Sequence, residues 1–190
     1  MGYLPMLLQK TETLPEGKDW IYERKYDGWR FLAYHDADKD RSRLVSRGGN
    51  DYTAEKKFSI VAGQIAAAAS YLDAVFDGEI VGEVEGKHNL RTLRVPEAKL
   101  VYYVFDLLDI DGIPLVGRRW SVRRAALEEI FQSQPNIKLA PYSDDKDKIL
   151  KKAKKSGYEG VVAKNIRGVY TQDSRTHMAL KYKSPEYRRE

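Results

Sequence analysis

The sequence predicts an α+β domain of mostly antiparallel sheets flanked by helices. Three observations support this. Runs rich in β-formers outnumber helical periodicities and often follow one another directly, which disfavours a doubly wound parallel sheet. Asp-Gly pairs at 27–28 and 111–112 punctuate those runs as turn signals. The chain has 190 residues, 42% of them hydrophobic, which suffices for one domain (1–190) with a sizeable core.

In chain order, "DWIYERKY" and "WRFLAYH" read as two strands joined through Asp27-Gly28 as a hairpin. "DADKDR" is a solvated turn, and "SRLVSR" is the next strand. Gly48 and Gly49 then break the chain. Thr53 is placed to cap a helix in which Phe58, Val61, Ile65, Ala69 and Leu72 recur at three- and four-residue spacing. "DAVFDGEIVGEV" (73–84) reads as a strand with glycine inside it. "KLVYYVFDLLDI" (99–110) is a long strand closed by Asp111-Gly112. Ser121 is expected to cap a helix carrying Leu127, Ile130 and Phe131. Ser143 is expected to cap another, with Ile149, Leu150 and Ala153 inward and Gly157 at its C-terminal end. "YEGVVAKN" and "HMALKYKS" supply the late strands.

Composition narrows the function classes. There is no cysteine, which excludes a disulfide framework, a thiolate metal site and a cysteine nucleophile. That fits a reducing compartment, and a cytoplasmic location is expected. No run approaches the roughly 18 apolar residues of a membrane span, so no membrane partner is expected. The net charge of +5 favours a polyanionic partner.

Several strands carry charges among apolar residues. "YERKYDGWR" holds Glu23, Lys25, Asp27 and Arg30, and "VFDGEIVG" holds Asp77 and Glu79. "YEGVVAK" holds Glu159 and Lys164, and "ALKYK" holds Lys181 and Lys183. Residues two apart on a strand share a face, so Glu23 pairs in direction with Lys25, Asp77 with Glu79, and Lys181 with Lys183. If those faces converge, they form a cleft of cations and carboxylates. A magnesium nucleotide requires that mixture, because lysine and arginine hold phosphates while carboxylates hold the metal or its waters. Taken singly, each piece reads more simply as a solvated strand, and the lysines of 146–155 read as the wet face of a helix.

Taken in order, "KYDGWR", "SRGG", "FDGEIVG", "YYVFDLLDIDG", "EGVVAK" and "LKYK" resemble the nucleotidyltransferase motifs of ATP-dependent DNA ligases. Within that family, "SRGGNDYT" and "SGYEGVVAKN" look closest to the ligase domains of prokaryotic end-joining enzymes. The resemblance implies the nucleotidyltransferase fold around an ATP cleft. It implies that Lys25 attacks the ATP α-phosphate and carries AMP, which then passes to a 5′-phosphate at a nick in duplex DNA before the 3′-hydroxyl seals the strand. A lysine is protonated at neutral pH and must lose that proton to act as a nucleophile. The same resemblance puts Glu23 at the adenine end and Arg30 and Arg47 near ribose and phosphates. Phe105 would stack on adenine, Arg175, Lys181 and Lys183 would meet the phosphate side, and Lys164 would be an ATP-binding cation near Lys25. Glu79 and Glu159 are the implied ligands of Mg²⁺ or Mn²⁺, and Asp27 is either a turn residue or a neighbour of the metal. Two departures stand out. Ala179 occupies a position where the family commonly has an aromatic residue, which is expected to loosen that wall of the pocket. Relatives continue into an OB-fold domain, whereas seven residues follow Lys183 here, so the OB-fold or repair proteins are expected as partners in cis or in trans. The alternative readings are an RNA ligase and a nick-binding module with weak or lost catalysis.

Overall fold

Two sheets carry the strands in the computed structural model, which describes residues 2–84 and 87–187, the side chains of 87–89 apart. The first part of the chain forms β1 (Leu7–Lys10), β2 (Trp20–Lys25), β3 (Trp29–Asp36), β4 (Arg41–Ser46), α1 (Ser59–Ala62) and α2 (Ile65–Ala68). There follow β5 (Ala74–Val84), β6 (Lys87–Asn89), a 3-10 turn (Thr92–Arg94), β7 (Lys99–Ile110), β8 (Ile113–Pro114) and α3 (Trp120–Ile130). The last part forms β9 (Ile137–Leu139), β10 (Tyr142–Ser143), α4 (Lys146–Lys155), β11 (Gly160–Asn165) and β12 (Arg175–Lys183). One sheet has the order β1-β12-β11-β2-β10. The other has the order β4-β3-β5-β7-β8, with β6 on β5 and β9 on β7. Parallel pairing among these is confined to β1 with β12 and β7 with β9, so the α+β expectation holds.

The expected hairpin at Asp27-Gly28 does not form. β2 pairs with β10 and β11, while β3 pairs with β4 and β5, so residues 26–28 cross from one sheet to the other. Gly28 is needed there for room: a Cβ on it would stand 2.1 Å from the Ile80 carbonyl oxygen. The second Asp-Gly pair does turn a hairpin. Asp111 and Gly112 both have positive φ (50° and 73°) and fold β8 back on β7.

Three helix starts differ from expectation. The periodicity over 58–72 marks the buried face correctly, since Phe58, Val61, Ile65 and Ala69 are buried. The backbone nevertheless forms two single turns, α1 and α2, parted at Gly63. Glycine weakens a helix interior, and turns this short persist only through packing. Thr53 caps nothing; its Oγ1 accepts from the Leu44 N–H at 2.9 Å. α3 starts at Trp120, so Ser121 lies inside it. Its free N–H groups are met by backbone carbonyls, Trp120 to Gly168 at 2.7 Å and Ser121 to Ile166 at 3.1 Å, which removes the need for a side-chain cap. α4 is capped by Asp145, whose carboxylate accepts from the Lys148 N–H at 2.9 Å, and Ser143 instead accepts from the Asp145 N–H at 3.1 Å.

Helices cover the outer faces. α1, α2 and α3 pack on the larger sheet around Phe31, Phe76, Tyr102 and Leu127. α4 packs Ile149 and Ala153 against Tyr22, Val161 and Ala163 of the smaller sheet. The inner faces are left to form a cleft.

Candidate active site

The cleft lies between the two sheets and has a volume of about 450 Å³. Alternation along β2 points Glu23 and Lys25 into it, while Arg30 on β3, Glu79 on β5 and Lys181 on β12 reach it from other strands. Arg30 stands opposite Glu79, and Val162 opposite both Glu23 and Lys181, so strand register sets these side chains at matching depths.

At one end, Lys164 Nζ lies 2.9 Å from a Glu23 oxygen and 3.3 Å from the Phe105 carbonyl. Burial pushes the Glu23 carboxyl up, and the Lys164 ammonium opposes this. The Phe105 ring carries two cations, with Lys164 Nζ 4.7 Å and Arg30 Cζ 4.5 Å from its centroid.

In the middle, Lys25 is ion-paired with Glu159, which sits next to Gly160 opposite Lys25 in the β2–β11 ladder. The other neighbour of β11 makes position 160 a glycine: a Cβ on Gly160 would meet the Tyr182 carbonyl oxygen of β12 at 2.0 Å. Burial lowers the Lys181 ammonium, and the cations Lys25, Arg175 and Arg47 lower it further, with Glu159 opposing. Four cations therefore share one end of the field, an arrangement that a polyphosphate would satisfy.

Arg30 forms a two-point ion pair with Asp77, which is fully buried. Tyr170 donates its hydroxyl to the same carboxylate at 2.5 Å and accepts from the Met6 N–H at 2.8 Å. Sequence reasoning put Asp77 on the cleft face with Glu79 but named no partner for it, and it missed Tyr170 altogether. A tyrosine in an irregular loop carries no periodic signal. Tyr170, Met6 and Ala179 belong to one buried cluster, of which Tyr170 and Met6 line the cleft and Ala179 does not.

Three of the candidates do not line the cleft, and of these Glu159 reaches it only through its ion pair with Lys25. Lys183 is exposed at the end of β12 and does not line the cleft, although Lys181 on the same strand does. Asp27 also does not line it; its Oδ2 accepts from the Leu90 N–H at 3.2 Å and the Tyr187 hydroxyl at 2.8 Å, a tie between segments. Arg47 and Arg175 line the cleft as exposed residues.

The profile of the ATP dependent DNA ligase domain matches residues 5–183. The chain belongs to this family. This ligase-family domain is 30% identical to the DNA ligase of Thermococcus onnurineus over 94% of its own length and 35% of that protein's. It is 32% identical to the multifunctional end-joining DNA repair protein LigD of Mycobacterium tuberculosis over 78% of its length and 19% of that protein's. The chain thus spans about a third or less of these curated relatives. Among solved structures, the ligase domain of M. tuberculosis LigD superposes with a TM-score of 0.82 at 27% identity, covering 95% of this chain and 59% of that one. A mycobacterial DNA ligase D complexed with ATP and MES gives 0.80 at 28% identity, covering 95% and 60%.

In the ligase domain, Glu79 accepts from the Gly28 N–H at 3.1 Å, and burial pushes its carboxyl up to about 7 against the pull of Arg30 and Lys25. A carboxylate strained by burial suits a hard cation. The described residues contain no group of three or more His, Asp or Glu able to cage a metal. One or two carboxylates completed by phosphates and waters is nonetheless how magnesium is usually held, so Glu79 in the cleft fits, and Glu159 would join it on release of Lys25. The Glu79 shift has a measurable sign. Its folded value exceeds its unfolded one, so its contribution is fully present below about pH 4.5 and is lost as pH rises toward 7. Metal-free protein is expected to lose stability relative to Glu79→Gln between those pH values, as read by urea unfolding at successive pH. Parallel curves would show that Glu79 titrates normally.

Proposed function

We propose that this domain is the catalytic core of an ATP-dependent DNA ligase acting in the cytoplasm. The observation that carries the reading is the convergence of Lys25, Glu79 and Lys181 from three separate strands on one cleft, with Glu159 ion-paired to Lys25. The Lys25–Glu159 pair opens first, because an ammonium has no lone pair for attack. Lys25 gives its ammonium proton to solvent, the neutral amine bonds to the ATP α-phosphorus as the bond to pyrophosphate breaks, and the nitrogen sheds a second proton to solvent to leave a lysine–AMP phosphoramidate. Lys181, Arg47 and Arg175 take up phosphate charge. Glu23 and Lys164 read the base edge, and Phe105 lies against its face. Glu79 and Glu159 would hold Mg²⁺ or Mn²⁺, which neutralises phosphate charge when bound.

In the second step a 5′-phosphate oxygen at a nick attacks the same phosphorus and frees Lys25. The 3′-hydroxyl then attacks that 5′-phosphate, and AMP leaves. Nicked duplex DNA is the proposed substrate. An OB-fold domain or a repair protein, in cis or in trans, is the proposed partner, in keeping with the share of the curated relatives that this chain spans.

The test is intact mass after incubation with a divalent ion and either ATP or GTP. One AMP adduct from ATP, with none from GTP, is expected. Its transfer to nicked DNA is expected over transfer to nicked RNA. A GMP adduct, or no adduct together with no reaction of pre-adenylated nicks, would reject the reading.

A further inference from the structure

The rim of the cleft holds a feature that the nucleotide chemistry does not use. Trp29 begins β3 and lines the cleft, yet 40% of it is exposed. Its position is nonetheless fixed from behind. The Tyr52 ring meets it edge-on with centroids 5.8 Å apart, and Phe58 and Phe31 lie 6.1 Å and 6.4 Å away. Phe31 and Phe58 are themselves fully buried. The indole is therefore held by an aromatic cluster on one side and open on the other. The next residue, Arg30, accepts a backbone hydrogen bond from the Arg47 N–H at 3.2 Å, so an exposed cation belongs to the same rim. Ser46, Gly48 and Tyr52 complete that part of the lining.

A fixed, half-open indole beside cations is the combination that holds an unpaired or terminal nucleotide. The base stacks on the ring, and arginine or lysine meets the adjoining phosphate. The adenine end is built elsewhere, from Glu23, Lys164 and Phe105, and the ring contacts of Trp29 are with Phe31, Tyr52 and Phe58 instead. The cations that would receive an incoming 5′-phosphate, Arg47, Arg175 and Lys181, line the same cleft.

We propose that Trp29, backed by Tyr52 and flanked by Arg47, is a stacking platform for the nucleoside that carries the 5′-phosphate at the nick. This inference rests on the ligase reading above, and its test separates the two. The full chain is titrated with a nicked 5′-phosphorylated duplex, following tryptophan emission and electrophoretic mobility. Trp29→Ala is expected to weaken binding by about 5- to 150-fold, the usual effect of losing one base stack. Trp29→Phe should restore most of it, and both variants should form the AMP adduct like the parent. A duplex with an abasic 5′-terminal nucleotide should bind the parent as weakly as the intact duplex binds Trp29→Ala, with no further loss when the two changes are combined. Equal affinity of Trp29→Ala and parent overturns the platform, as do additive losses. Loss of the AMP adduct in Trp29→Ala with unchanged DNA affinity would place the ring on ATP and likewise overturn it. If the parent takes up no AMP and leaves pre-adenylated nicks unsealed, but shows the Trp29-dependent, abasic-sensitive binding, the ligase reading fails and the platform stands.

Discussion

Lys25→Ala is expected to form no AMP adduct under conditions in which the parent is labelled. Removing a covalent nucleophile typically costs on the order of a million-fold in rate, which puts residual labelling below detection. The substitution also strands Glu159, whose side chain is 8% exposed and loses its ion-pair partner. That should cost about 1–3 kcal/mol, so folded protein must be verified by unfolding curves. Lys25→Arg separates the two effects. The guanidinium keeps the partner of Glu159 but stays protonated, so it should recover stability without recovering the adduct. Sealing of a pre-adenylated nick bypasses the first bond and is expected to fall much less in both variants. An adduct retained in Lys25→Ala, mapped to another residue, would refute the assignment.

Asp77→Ala is expected to be the most destabilising single change in the cleft. Asp77 is fully buried, and it holds both Arg30 and the Tyr170 hydroxyl. Removing one partner of a buried ion pair costs about 3–5 kcal/mol, because the other charge is left without compensation. For a domain of this size that corresponds to a fall in Tm of roughly 6–20 °C. Tyr170→Phe removes the hydrogen bond to the Asp77 carboxylate and the acceptor of the Met6 N–H, and should cost about 1.5–3 kcal/mol. The expected order in urea unfolding is therefore parent, then Tyr170→Phe, then Asp77→Ala. Arg30 also lies 4.5 Å from the centroid of Phe105, so loosening Asp77 should weaken ATP binding as well. A change below about 1 kcal/mol in Asp77→Ala would show that the pair anchors nothing.

Local pattern was a good guide where one strand or one turn settles the matter. The β-rich run of 99–110 became β7 with the expected limits, and Asp111-Gly112 turned the chain as such pairs do. The same signal at Asp27-Gly28 misled. Whether two adjoining strands pair depends on which other strands compete for their edges, and here β11 and β5 took them. The helical periodicity of 58–72 identified the buried side chains but not the break at Gly63, since burial follows the packing partner and helix length follows backbone cost.

The proposed site residues were open to reading only as an ordered set: six motifs together carry the resemblance to the ligase family, and that resemblance proposes a lysine to attack, carboxylates for a cation, basic groups for phosphate and an aromatic face for a base. Those needs restrict which side chains can stand in each motif, whatever their distance along the chain. Their pairings were not legible. Lys25 meets Glu159 across 134 residues, Lys164 meets Glu23 across 141, and Tyr170 meets Asp77 across 93. No periodicity spans such separations. They follow from the order of strands in two sheets and from the register that the buried faces enforce, so which cation neutralises which carboxylate was settled when the sheets packed.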